Sequence, residues 1–153
     1  MKKTKIDLYM PVKGRIMPLK EVNNYLPEAV LDGLGVGIIP EEDIFYAPVS
    51  GEVVLVGEYF NSVGIAVNED LTILIHCGLN SEATEGRGFS SYVRVGDKVT
   101  VGDKLIFMDL EYVSNKADTT TPLMISNSRG VNHVDIDYSV NDTFQKFMEI
   151  YMK

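Results

Sequence analysis

Val63-Gly64-Ile65-Ala66-Val67-Asn68-Glu69-Asp70-Leu71-Thr72-Ile73-Leu74-Ile75 holds two short β-branched runs separated by a polar break. Asn68-Glu69-Asp70 has the composition of a tight turn, so the pattern predicts a hairpin. Both arms are too short for a stable helix, and Val and Ile suit a pleated surface. The same motif continues outward. Val53-Val54-Leu55-Val56 lies between Gly51 and Gly57, and Leu105-Ile106-Phe107-Met108 and Leu123-Met124-Ile125-Ser126 follow later. The 13 glycines and 6 prolines fall between the runs rather than in one linker. This density of strands and turns predicts an all-β chain, an antiparallel β-sandwich or barrel-like fold with a few short helices.

Helical signal is sparse. Pro27-Glu28-Ala29-Val30-Leu31-Asp32-Gly33 has proline early and glycine late, which suits one or two turns. Leu110 to Lys116 suits another short helix. In the tail, Phe144, Phe147, Met148 and Tyr151 are spaced for a helix, while Phe144, Met148 and Ile150 share one strand face, so periodicity leaves both readings open. Two internal echoes are visible. Pro11-Val12-Lys13-Gly14-Arg15-Ile16 resembles Pro48-Val49-Ser50-Gly51-Glu52-Val53, as in a half-repeat folded back on itself. Val95-Gly96-Asp97-Lys98-Val99 resembles Val101-Gly102-Asp103-Lys104-Leu105, which reads as reuse of one good turn.

The 153 residues suit one domain, read as 1–153, with residues 1–10 as a flexible N-terminal extension. Acidic residues outnumber basic ones by 22 to 14, and the net charge of -8 argues against nucleic acid as a partner. The single cysteine, Cys77, allows no internal disulfide and points to a reducing compartment, the cytoplasm. No apolar stretch approaches the length of a membrane span, and the basic start is not followed by a signal-peptide core, so no direct membrane insertion is expected.

With two histidines in the chain, each can be weighed separately. His76 ends the run Leu71–Ile75 and precedes Cys77-Gly78. A strand end before glycine fixes the backbone and leaves the ring near a surface. Neutral imidazole there can attack phosphorus, and a phosphoramidate bond is labile enough to pass the group on. From the local pattern alone, a structural histidine is the simpler reading. His133 alternates with Asp135 and Asp137 on one strand face, opposite Val134 and Ile136. Such a row is best read as a solvated face, since same-face neighbours are about 7 Å apart and make a poor metal cage. Cys77 neighbours His76 but should point to the opposite face, as a buried thiol. Arg87, in Glu85-Gly86-Arg87-Gly88-Phe89, is a candidate phosphate clamp, although a solvated loop arginine is the commoner case. The Val-Gly-Asp-Lys turns are similar to those of swinging-arm carrier modules, but no lysine has biotin or lipoate surroundings, and no cofactor is expected.

Taken together, the motifs resemble those of the glucose-type IIA component of the bacterial phosphoenolpyruvate-dependent sugar phosphotransferase system. The likeness runs from about Pro11 to the C-terminus. Pro11-Val12-Lys13-Gly14 with Pro18-Leu19 and Glu21-Val22 looks like the family's opening strand. Ala47-Pro48-Val49-Ser50-Gly51 matches Ala-Pro-Val-x-Gly, and Ile75-His76-Cys77-Gly78-Leu79 matches the box whose histidine accepts phosphate. Gly86-Arg87-Gly88-Phe89, the Val95–Leu110 segment and Thr121-Pro122-Leu123-Met124-Ile125-Ser126-Asn127 follow in the family's order and spacing. The resemblance implies a strand for the tail and a shallow apolar depression around His76. It implies HPr as phosphoryl donor and a IIB domain, with its cysteine, as acceptor. Peripheral association with the IIC permease fits the same picture.

The chain departs from the family at several positions. Fifteen residues before the acceptor the family has a second histidine that helps hold the phosphoryl group, and here that offset falls on Asn61. Tyr59 stands where the family has threonine, and Asn80 and Leu34 stand where it has aspartates. Asn61 can donate a hydrogen bond to a phosphoryl oxygen but cannot carry positive charge. Loss of the two acidic positions should slow electrostatically steered docking. One imidazole remains, so the family's occasional zinc site is not expected. The expected site is His76 as phosphoacceptor with Asn61 beside it, and Leu34, Val36, Leu74, Leu79 and Asn80 facing partners. A non-catalytic IIA-like regulator that binds a protein partner is the alternative, motivated by Leu34, Tyr59, Asn61 and Asn80.

Overall fold

A computed structural model describes residues 4–22 and 34–153, so the helical reading of Pro27–Gly33 lies outside the described residues. The described residues form thirteen strands and one short α-helix. In chain order the strands are β1 (Lys5–Tyr9), β2 (Gly14–Pro18), β3 (Gly35–Pro40), β4 (Ile44–Tyr46), β5 (Gly51–Val56), β6 (Ser62–Asn68) and β7 (Leu71–His76). They continue with β8 (Phe89–Ser91), β9 (Lys98–Val99), β10 (Lys104–Met108), β11 (Thr121–Asn127), β12 (Val131–Ile136) and β13 (Lys146–Met152). Helix α1 spans Leu110–Ser114. Seven strands make a large sheet in the order β2-β3-β11-β7-β6-β5-β9. Two small sheets, β1-β13-β12 and β4-β10-β8, complete the architecture. The paired strands run antiparallel, as the all-β sandwich reading requires.

The opening hairpin is β6-β7. Val63 pairs with Ile75, Gly64 with Leu74 and Ile65 with Ile73. Alternation sends Val63, Ile65, Ile73 and Ile75 to one face, where each is at most 1% exposed. There they meet Val36, Ile38, Leu123 and Ile125 from the same sheet and Leu8, Phe45, Leu105, Ile106, Phe147 and Ile150 from the small sheets. One core is therefore shared by all three sheets. A buried side chain of this kind contributes about 1.5–3 kcal/mol.

Residues 4–10 are not a flexible extension. Lys5 to Tyr9 form β1, paired along β13, and Leu8 and Met10 are fully buried. The alternation Ile6-Leu8-Met10 gives this segment an apolar face, and pairing satisfies its backbone. Tail residues 146–152 are the strand β13 that the resemblance implied, because both sides of that strand are paired. Glu149 clamps the β1-β13 pair, accepting from Lys5 Nζ at 2.8 Å and Lys146 Nζ at 3.0 Å.

Both sequence echoes have structural counterparts. Gly14 opens β2 and Gly51 opens β5, near the two ends of the large sheet. A Cβ at Gly14 would strike the Ile39 carbonyl, and one at Gly51 would strike the Ala66 carbonyl, so each glycine lets a neighbouring strand close in. The Val-Gly-Asp-Lys turns are twins as well. Asp97 accepts from the Arg94 N–H at 2.9 Å, and Asp103 accepts from the Thr100 N–H at 2.8 Å. Gly96 and Gly102 both take positive φ, at 100° and 93°.

Two outcomes follow for stability. Ile73→Ala should lower unfolding free energy in urea by about 2–4 kcal/mol, whereas the outward Thr72→Ala should cost less than about 1 kcal/mol. The hydrogen bonds from Lys5 and then Lys146 hold the Glu149 carboxyl at about 2. A depressed carboxylate stabilises the fold above its unfolded value near 4.3, and that contribution disappears as pH falls toward 2. Acid titration of Glu149→Gln should therefore show a shallower loss of stability across this window than the wild type.

Candidate functional site

β7 presents Thr72, Leu74 and His76 on the face opposite the core, while Ile73, Ile75 and then Cys77 point inward. Cys77 is fully buried, and burial pushes its thiol far above the ordinary range, so it is no ready nucleophile. Ser62 on β6 pairs with His76, and the ladder runs one step further as Cys77 N–H donates to the Asn61 carbonyl at 2.7 Å. The His76 backbone is thus held by the sheet while its side chain remains 29% exposed.

Immediately after the strand the chain reverses. Gly78 takes φ +83°, and a Cβ there would press on the Ser81 side chain and the Asp118 carbonyl. The reversal brings the Gly78 carbonyl within 2.9 Å of His76 Nδ1. Leu79 N–H donates to Asp118 O at 2.7 Å, which ties the loop to the segment before β11. Residues Ser81–Thr84 form a single 3-10 turn. Ser81 Oγ donates to the Cys77 carbonyl at 2.7 Å, and Thr84 Oγ1 donates to the Ser81 carbonyl at 2.9 Å.

This turn carries Glu82 to the ring. Glu82 Oε1 lies 2.9 Å from His76 Nε2. Partial burial works to raise the Glu82 carboxyl, but its own backbone N–H, the His76 charge and hydrogen bond, and a smaller pull from the Asn61 amide bring it below the usual carboxylate range. Sequence reasoning missed Glu82. The residue sits six positions beyond His76, across a glycine reversal, where no strand or helix periodicity relates the two side chains.

Asn61 is 3% exposed, and its Nδ2 donates to Ser81 Oγ at 2.9 Å. Its amide is spent on the loop; the ring nitrogens take Gly78 and Glu82 instead. The expected partner-facing residues divide between the two sides of the sheet. Val36 is fully buried in the central core, and Leu34 packs against that core half-buried, because alternation along the start of β3 turns Val36 inward. Leu74 and Leu79 lie on His76's side. They join Met17, Leu19, Val22 and Met124 in a second apolar cluster on the outer face of the large sheet. Asn80 is exposed at φ 56° beside them.

An apolar stripe crosses that outer face. Leu55 pairs with Gly64, Gly64 with Leu74 and Leu74 with Met124. Leu55 is 44% exposed. His76 sits two residues from Leu74 along β7, on an open surface. A concavity of about 570 Å³ lies elsewhere, lined by Glu52, Val54, Asn68, Glu69 and Lys98 among others, and excludes the histidine. A part-exposed histidine outside any enclosed concavity suits a group delivered by another protein better than a free small molecule. Arg87 is exposed on the loop after the 3-10 turn, and His133 stacks on Tyr151 at 4.4 Å with Asp135 3.8 Å away. That second histidine belongs to β12, in a different sheet from β7.

Comparison with known proteins identifies relatives of the chain. The family described as phosphoenolpyruvate-dependent sugar phosphotransferase system, EIIA 1, matches residues 6–131. The glucose-specific EIIA component of Oceanobacillus iheyensis is 37% identical over 130 residues, covering 84% of this chain and 79% of that protein. The glucose-specific EIICBA component of Staphylococcus saprophyticus is 34% identical over 125 residues, or 81% of this chain and 18% of that longer protein. Among solved structures, glucose permease IIA from Mycoplasma capricolum superposes with a TM-score of 0.86 at 27% identity, covering 95% of this chain and 96% of its own.

Asn61→Ala should remove the amide that supports Ser81. It should cost about 1–2 kcal/mol in denaturant unfolding, with amide exchange around residues 78–84 speeding up more than exchange in β6.

Proposed function

Because the chain belongs to the EIIA 1 family of the phosphoenolpyruvate-dependent sugar phosphotransferase system, we propose that it carries its phosphoryl group on Nε2 of His76. The role of phosphocarrier is that of the family. The observation that supports His76 as the carrier is the 2.9 Å contact between Nδ1 and the Gly78 carbonyl. A carbonyl accepts only, so Nδ1 must hold a proton, and Nε2 is the nitrogen left to attack phosphorus when it is unprotonated. The protein spends no conformational search on orienting the ring, because β7 and the Gly78 reversal set it beforehand.

HPr is the donor in this reading. As its phosphohistidine approaches, the phosphorus–nitrogen bond on the donor breaks while the bond to Nε2 forms. A IIB domain then takes the group onto its cysteine. The exposed Leu55 and the half-buried Leu74, on His76's side of the sheet, support docking of a protein face. At the two positions where the resemblance implies aspartates, Asn80 and Leu34 supply no charge to steer a donor. The chain handles phosphate and never the sugar, so the IIB and IIC partners set which sugar is carried. The work takes place in the cytoplasm, beside a IIC permease. The fused EIICBA relative supports that proximity, and no helix among the described residues is long and apolar enough to cross a membrane.

Incubation of the full chain with phosphoenolpyruvate, enzyme I and HPr from the same organism should add one phosphoryl group, about 80 Da, in intact-mass measurement. His76→Ala should take none, and His133→Ala should label as the wild type does. Failure of the wild type to label with several HPr-like donors, with partner binding retained in His76→Ala, would instead favour a non-catalytic regulator.

A further inference from the structure

The Gly78 carbonyl and the Glu82 carboxylate are both hydrogen-bond acceptors, yet each lies 2.9 Å from a nitrogen of the same ring. A neutral imidazole has one N–H to offer. Two acceptors need two donors, so the ring in this arrangement is an imidazolium paired with an ionised Glu82. The Glu82 carboxyl is held below the usual carboxylate range, so it stands as the acceptor in this contact. Among the described residues, Glu82 is the charged side chain that pairs with the ring; Ser62 is the β6 partner of His76, and Asn61 beside Ser62 is bound to Ser81. In this state Nε2 has no lone pair for phosphorus, and a carboxylate stands where the phosphoryl oxygens must enter.

We propose that Glu82 is a gate on the acceptor nitrogen, a positioning residue that closes unphosphorylated His76 into an ion pair and must leave Nε2, with its proton, before the phosphoryl group can enter. The inference rests on the reading of His76 as phosphoacceptor. Protons and bonds balance as follows. The Nε2 proton passes to the Glu82 carboxylate and then to solvent. The donor's phosphorus–nitrogen bond breaks as Nε2–P forms, and the freed donor nitrogen takes one proton from solvent. Nδ1 keeps its proton on Gly78 O throughout. Once Glu82 is ionised again, its charge repels the phosphoryl oxygens, so the same residue that delays entry favours onward transfer.

The gate can move. Glu82 is 49% exposed and rides on a four-residue 3-10 turn, so its side chain can rotate into water without disturbing the core. A pair this exposed shifts an equilibrium by up to about fivefold.

Two readouts on the full chain test the gate, with Glu82→Gln and Glu82→Ala as variants. Nitrogen-15 NMR of the unphosphorylated protein near neutral pH should show protons on both His76 nitrogens in the wild type and on Nδ1 alone in the variants. Equilibration with phosphorylated HPr, read by intact mass, should give a phosphorylated-to-free ratio about three- to fivefold higher in the variants. Label on the variants with none on the wild type supports the gate in its strongest form. An unprotonated Nε2 in the wild type, or equal ratios in labelled wild type and variants, overturns the gate and leaves the acceptor role standing. If neither wild type nor variants take label on His76, the acceptor role fails and the gate fails with it.

Discussion

The Gly78 carbonyl reaches His76 Nδ1 only because residue 78 adopts φ +83°, a backbone state that glycine enters without the steric cost other residues meet. Everything chemical about the ring descends from that contact. It fixes which nitrogen faces the Gly78 carbonyl, and therefore which one is left for the proposed phosphoryl transfer. The contact depends in turn on the β6-β7 ladder, since a strand end that frayed would let the imidazole turn. Ile73 and Ile75, buried beneath, keep the end from fraying. Core packing and nucleophile orientation are thus one constraint seen from two sides of a sheet.

Where the resemblance implies a second imidazole, this chain has an amide held by the loop beyond the strand. Asn61 occupies that position, but it is buried and bonded to Ser81, whose hydroxyl returns to the Cys77 carbonyl. The result is a scaffold that shapes the 3-10 turn. The charged neighbour of His76 is supplied from the turn itself, by a carboxylate in place of a second ring. A cationic neighbour would welcome phosphate and an anionic one opposes it, so the substitution changes the sign of the local field as well as the residue.

Most of the fold could be read from short-range pattern. Alternation placed Val63, Ile65, Ile73 and Ile75 on a core face, and turn residues at 68–70 and in the twin Val-Gly-Asp-Lys segments marked reversals that the structure contains. Leu110–Ser114 is helical, as its composition suggested, with Asp109 accepting from the Tyr112 N–H. The tail defeated periodicity because Phe147, Met148 and Tyr151 satisfy helical and extended spacing alike. Only pairing with β12 and with β1, the latter more than a hundred residues away, decides it, and such pairing leaves no trace in the tail's own spacing. Residues 4–10 were misjudged for the same reason. Near the site, the surface position of the His76 ring at a strand end and the burial of Cys77 were legible from the strand pattern. Glu82 was not, because its approach depends on a dihedral at Gly78 and a 3-10 turn. Val36 was assigned to the wrong side because the family motif gives position along a strand, whereas facing depends on register.

The large sheet ends at one side in β9, a strand of two residues, Lys98–Val99, that pairs with only the first part of β5. The rest of β5, including the exposed Val54 and Leu55, lies beyond that pairing, next to an apolar stripe that must stay bare for docking. Such a surface invites edge-to-edge stacking of copies through unpaired backbone. A truncated border strand with a lysine in it, followed by a glycine-bent turn, offers too little ladder for a second sheet to extend. The chain can therefore keep a sticky face for transient visitors while denying its own kind a template.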